Sequence, residues 1–191
     1  EAARAAFLAT GQQIPHSTVA LEIPRRLEQK QPISDIVKTD RHKFLKIFLK
    51  SFYEISRSKS IPIPGTHKTL ELLSRKTKLS MITLRYAPSI AIVNELEQFG
   101  LSKYFSNVIT ALDTDEPKPS PKGLIKAVTA MNIQTSDCLV VGDSILDIKM
   151  GEAAGVKTVA VLSGLYSRTE LSKEKPHLIL NDISELPKFI Q

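Results

Sequence analysis

The sequence predicts an α/β protein, a doubly wound parallel sheet with a small all-helical segment at its amino end. Three observations carry this. From residue 66 onward, short apolar strands alternate with helix-length segments, as in right-handed crossovers on a parallel sheet covered on both faces. Residues 1–58 have helical spacing and no strand signal. Between them, residues 59–65 (Lys-Ser-Ile-Pro-Ile-Pro-Gly) hold two prolines and a glycine, which marks a linker. The expected domains are therefore a helical domain over 1–58, a linker over 59–65 and an α/β core over 66–191.

The chain has 191 residues and a net charge of +6. Its lysines and arginines are spread over several helices, with no basic block interleaved with aromatics, so a nucleic-acid partner is not expected. No apolar run reaches the length of a membrane span. The start, Glu1-Ala2-Ala3-Arg4, lacks a basic region followed by a long apolar run, so no secretory leader is expected. Cys138 is the single cysteine and sits in an apolar strand, as a buried small residue would. A cytoplasmic protein is the expectation.

Within the helical segment, Ala2–Leu8 is alanine-rich and favours a helix, which Gly11 and Pro15 end. Val19, Leu21, Ile23 and Leu27 surround Pro24, which is expected to start or kink a helix. Residues 32–37 read as a short proline-led helix. Asp40 is placed to cap the clearest helix, in which Phe44, Leu45, Ile47, Phe48, Phe52 and Ile55 recur at helical spacing as core residues.

In the second part, helices are expected over 66–75, 88–99, 121–131 and 145–154, with a short one over 167–171 and a final turn or two over 183–190. Strands are expected over 78–84, 108–112, 137–141, 158–162 and 177–180.

Three motifs fall at strand ends. Thr83 closes the first strand, where its hydroxyl can donate to an anion beside the free amides of the next helix start, although threonine is also an ordinary strand residue. Lys118 sits in Glu-Pro-Lys-Pro-Ser-Pro, and prolines on both sides stiffen the backbone that aims its ammonium. Gly142-Asp143-Ser144, with Asp147 one helical turn on, places two carboxylates near one spot at the carboxyl end of a strand. Paired hard oxygen donors there suit Mg²⁺. The plain alternative is that Asp143 only N-caps the following helix and Asp147 lies on its solvated face.

In this order, strand-Thr, Lys-Pro-x-Pro and Gly-Asp-x-x-x-Asp, the chain resembles the haloacid dehalogenase-like hydrolases, in the branch of phosphoglycolate phosphatases and β-phosphoglucomutases. The resemblance runs from residue 61 to about 190, and includes Ile63-Pro64-Gly65 and Gly151-Glu-Ala-Ala-Gly-Val156. Residues 1–58 resemble the family's helical cap in position and type. The resemblance implies a Rossmann-like hydrolase core and a Mg²⁺-dependent phosphatase acting on a small phosphorylated substrate through an aspartyl-phosphate. It implies that Thr83 binds phosphoryl oxygens, that Lys118 balances the nucleophile and the phosphoryl charge, and that Asp143 and Asp147 form the metal site. Leu84 stands where the family often has asparagine, which leaves only its backbone amide to meet substrate, and Arg85 is placed to reach an anionic group. The resemblance implies neither a membrane nor a nucleic-acid partner, and a monomer or homodimer.

One departure stands out. The family's first motif, an apolar strand followed by Asp-x-Asp-x-Thr, does not precede the helical segment. The chain opens on Glu1 rather than methionine, and the strand with its nucleophile is expected upstream. The other possibilities are that another segment fills that strand's place, or that the protein is a non-catalytic phosphate-binding or scaffolding relative on the same fold. Asp113 and Asp115 follow an apolar run, but a prolyl bond comes almost at once and no threonine completes the pattern, so they read as loop residues. A receiver-like domain is disfavoured by the helical segment and by Lys-Pro-x-Pro.

Overall fold

Every strand of the second segment lies parallel to its ladder partner, yet the strands form two sheets instead of one. A computed structural model describes residues 1–190; Gln191, the last residue of the core segment, lies outside them, as do the side chains of residues 57 and 58. The chain divides into two compact units, Glu1–Ile61 and Pro62–Gln191. Among the described residues no helix is long and apolar enough to cross a membrane.

The first unit holds α1 (Ala2–Ala9), α2 (Ser17–Glu28) and α3 (Arg41–Lys59). The Asp40 carboxylate accepts from the amides of His42 (2.8 Å) and Lys43 (3.1 Å), satisfying two donors that a helix start leaves open. Phe44 is fully buried, edge-on to Phe7 at 4.9 Å and stacked on Phe48 at 6.3 Å. Ile23, Ile33 and Val37 complete the same cluster. Phe44→Ala is expected to cost this unit about 3–5 kcal/mol, seen as a lower denaturation midpoint; an unchanged midpoint would contradict the packing.

Of the two places expected for Pro24, a helix start or a helix interior, the structure shows the second: it lies inside α2, where its missing N–H leaves the Ala20 carbonyl without the usual amide. Two other expectations for this unit need correction. Residues 32–37 make a single turn rather than a helix: the Val37 amide donates to the Ile33 carbonyl at 2.8 Å and the pattern stops. Arg26 draws Asp35 across at 2.6 Å, while Ile33 and Val37 insert into the core. The apolar stripe of α3 is not core throughout, since Phe52 is 41 % exposed.

The second unit runs α4 (Thr66–Ser74), β1 (Leu79–Ile82), α5 (Ser89–Gln98), β2 (Phe105–Ile109), α6 (Lys122–Met131), β3 (Leu139–Gly142), α7 (Ile145–Ala153), β4 (Lys157–Val161), α8 (Arg168–Lys173), β5 (Leu178–Leu180) and a 3-10 stretch at Ile183–Lys188. β2 begins three residues before the expected strand. Asn107 hides it in the sequence: its side chain pairs with Ser80 and donates to the Ala127 carbonyl at 3.1 Å, so a polar residue sits mid-strand. The expected strand end at residues 110–112 is turn instead, because Asp113 takes the Thr110 amide at 2.8 Å.

β1 pairs with β2, and β3–β4–β5 form the second sheet. Among the described residues neither β1 nor β3 has a second ladder partner. They nonetheless border the same apolar clusters. Leu79 of β1 packs in one cluster with Leu139 and Val141 of β3, and Ile82 packs with Val140 in another. No residue of β1 is fully buried, whereas four of the five in β4, which is paired on both sides, are. Interior strands that each lack a ladder partner on one edge are unusual, because buried backbone groups are nearly always satisfied.

Candidate active site

The functional side chains gather at the carboxyl ends of β1 and β3, where parallel sheets present their ligands. Ser144, not Asp143, is the N-cap of α7. The Ser144 hydroxyl oxygen accepts from the Leu146 amide at 2.9 Å, and Asp147 Oδ2 accepts from the Ser144 amide at 3.2 Å, a capping box. The plain alternative therefore fails on both counts: Asp143 is free of the cap, and Asp147 is 7 % exposed rather than solvated. Gly142 makes this possible. A Cβ there would lie 2.2 Å from the Asp147 carboxyl carbon, so any side chain would displace it.

Lys118 reaches Asp147 from the loop between β2 and α6. Its Nζ donates to Asp147 Oδ1 at 2.6 Å and to the Ile82 carbonyl at 3.1 Å. The Thr83 amide bonds β2 through the Ile109 carbonyl at 2.9 Å, so by strand alternation the Ile82 carbonyl points the other way, to the open edge. The ammonium thus spans the end of the gap between the two sheets. Its side chain and that of Asp147 are 11 % and 10 % exposed. The surrounding loop is braced: Lys122 pairs with Asp115 and Glu116, each at 2.8 Å, and Asp113 Oδ2 accepts from the Thr110 amide and hydroxyl. Asp113 and Asp115 thus serve to hold the loop.

Thr83 Oγ1 accepts from the Arg85 amide at 3.3 Å, which leaves its own proton to donate. The Leu84 amide has no hydrogen-bond partner among the described residues. Arg85 was expected to reach an anionic group. Instead its guanidinium grips Glu95 of α5 with both terminal nitrogens, one at 2.8 Å.

Asp143 follows β3 and is exposed. Partial desolvation by the protein around it raises its pKa, and the neighbouring Asp147 charge adds to this, while a backbone hydrogen bond and Lys118 oppose them. A carboxylate of this kind gains from a cation. The backbone of Gly164, in the loop after β4, backs it so closely that a Cβ would lie 1.9 Å from Asp143 Oδ2. The sequence shows no motif signal at Gly164; only this approach identifies it. Gly164→Ala is expected to displace the Asp143 carboxylate and weaken Mg²⁺ binding at least about tenfold by titration calorimetry. Unchanged affinity would show that the approach does not matter.

The donor set fits Mg²⁺ in part. Asp143 offers a hard oxygen, and Mg²⁺ is commonly held by one or two carboxylates with water and substrate oxygens. Each Asp147 oxygen accepts one bond, from Lys118 Nζ and from the Ser144 amide, so this carboxylate orients Lys118 whether or not it also meets the metal. Among the described residues no group of three or more His, Cys, Asp or Glu side chains is close enough to hold a metal, so a metal at Asp143 would draw its other ligands from water, substrate or residues outside those described.

The profile of the haloacid dehalogenase-like hydrolases matches residues 16–161. The chain belongs to the haloacid dehalogenase-like hydrolase family. Among curated relatives, the phosphoglycolate phosphatase of Pseudomonas fluorescens (strain Pf0-1) is 29 % identical over 142 residues, covering 74 % of this chain and 52 % of the relative. The phosphoglycolate phosphatase of Escherichia coli K12 is 28 % identical over 165 residues, covering 85 % of this chain and 65 % of that protein. The chain thus spans about half to two thirds of these relatives' lengths. A haloacid dehalogenase-like hydrolase of Streptococcus pneumoniae shares the fold at a TM-score of 0.81 and 14 % identity, over 100 % of this chain and 89 % of that one. The haloacid dehalogenase-like fold is Rossmann-type α/β, as the sequence pattern predicts.

Proposed function

We propose that the protein is a cytoplasmic Mg²⁺-dependent phosphatase of a small phosphorylated metabolite. The observation that carries this is Lys118, held between Asp147 and the Ile82 carbonyl at the mouth of the open strand edge, beside Asp143. A fixed, largely buried ammonium at a strand end stabilises phosphoryl charge without having to reorganise. The Thr83 hydroxyl and the Leu84 amide donate to phosphoryl oxygens from the β1 side, and Asp143 holds Mg²⁺ from the β3 side. When bound, Mg²⁺ neutralises charge on the phosphoryl oxygens.

The facing edges of β1 and β3 accept one further parallel strand, supplied from outside residues 1–190. Its carboxyl end would emerge beside Lys118. An aspartate there attacks phosphorus, the ester P–O bond breaks, and a second carboxyl protonates the leaving oxygen; water then cleaves the aspartyl-phosphate and releases phosphate. The helical unit serves as the substrate-selecting cap. Phosphoglycolate is the first substrate to try, from the names of the relatives.

The test is phosphate release from an aryl phosphate, with and without Mg²⁺, by residues 1–191 and by a version extended upstream to include the strand. Mg²⁺-dependent release by the extended version is the expected result. A folded extended version that releases none in either condition would overturn the phosphatase and favour a phosphate-binding protein.

A further inference from the structure

We propose that Glu95 is a positioning residue which, through Arg85, sets the turn that presents the Thr83 hydroxyl and the Leu84 amide. What that turn binds rests on the phosphatase proposed above; what shapes it does not.

Arg85 is bonded three ways within one short turn. Its amide donates to Thr83 Oγ1 at 3.3 Å, and its carbonyl accepts from the Ala111 amide at 3.2 Å. Its guanidinium forks onto both carboxylate oxygens of Glu95. The first bond turns the Thr83 hydroxyl, the second ties the turn to the segment after β2, and the third anchors it on α5. A two-point grip fixes direction as well as distance, which a lysine cannot do.

Other features explain less of the local geometry. Glu95 lies on the inner side of α5, near the buried Ile92 and Leu96, and its side chain is 20 % exposed against 25 % for Arg85. At that burial the fork is shielded from the screening that weakens surface pairs. Of the residues between them, Tyr86 is 63 % exposed, Pro88, the N-cap of α5, supplies no side-chain cap bond, and Ala87 packs against the cluster of Ile92 and Leu96. The fork therefore joins the Thr83–Arg85 end of the turn to α5, while Ala87 packs at its other end.

The test uses Glu95→Gln and Arg85→Lys in the upstream-extended protein, with inorganic phosphate as the probe. Two quantities are read: amide hydrogen exchange at Arg85 and Ala111, and phosphate affinity. In Glu95→Gln both amides are expected to exchange at least tenfold faster and phosphate to bind at least tenfold more weakly, while the β4 amides keep their parental rates. Arg85→Lys should fall between that variant and the parent. Equal acceleration at every amide, β4 included, would overturn the proposal by showing only global destabilisation. Parental exchange at Arg85 and Ala111 would overturn it as well. Tighter phosphate binding in Glu95→Gln would also overturn it, because the guanidinium would then be a ligand that Glu95 restrains. If the parent binds no phosphate, the phosphatase fails, and exchange at Arg85 and Ala111 still decides the role of Glu95.

Discussion

Asp143→Asn is expected to lower Mg²⁺-dependent turnover of the upstream-extended protein at least about 10³-fold while leaving it folded. The substitution preserves size and removes one charge. Mg²⁺ is hard and demanding of its ligands, and an amide oxygen replaces a carboxylate poorly. The fold should not suffer, for a reason visible in the same residue. Partial desolvation and the Asp147 charge hold the Asp143 pKa above its ordinary value, so in the absence of metal its ionised form is disfavoured in the folded protein. The cost of that charge is present above the raised folded pKa and disappears as pH falls below the unfolded one. Without metal, the variant is therefore expected to be at least as stable as the parent at neutral pH, with the difference closing on acidification through the carboxylate range. Added Mg²⁺ should raise the melting temperature of the parent and not that of the variant. Turnover and melting temperature, each with and without Mg²⁺, check this. Parental turnover in the variant would remove Asp143 from the metal site.

The parts of this site that are legible in the sequence are those set by local chemistry. Apolar runs closed by glycine announce β3 and its carboxyl end, and the prolines around Lys118 announce a stiff loop. The parts that are not legible depend on residues far apart in the chain. The spacing of Asp143 and Asp147 treats them as a pair, but their surroundings differ, because Lys118, from 29 positions away, bonds one Asp147 oxygen and the α7 cap bonds the other. Arg85 looks like a free cation until Glu95 is found opposite it. Gly164 matters only because the loop after β4 passes against Asp143. β2 starts earlier than its apolar run because Asn107 interrupts that run, its side chain accepting from Ser80 of β1 and donating to the Ala127 carbonyl of α6. The unpaired edges of β1 and β3 follow the same rule. An apolar strand is recognisable from its own residues, but how many ladder partners it has is a property of the assembled sheet.

Lys118→Met is expected to lower turnover of the extended protein at least about 10²-fold, and a second substitution separates chemistry from packing. Taken alone, the variant is ambiguous. It removes the charge proposed to meet the phosphoryl group, but it also strands the Asp147 carboxylate, which is only 10 % exposed, beside a methionine. Breaking such a pair from one side costs about 3–5 kcal/mol, enough to depress activity through unfolding. Lys118→Met with Asp147→Asn removes both charges. The amide oxygen still accepts from the Ser144 amide, so the capping box that starts α7 persists. The double variant should regain more than half of the lost stability, and a double-mutant cycle on denaturation free energies measures this directly. Turnover should stay as low as in the single variant, because no group replaces the ammonium at the end of the β1–β3 gap. Recovery of turnover along with stability would instead make Lys118 a structural cation, whose one task is to neutralise Asp147.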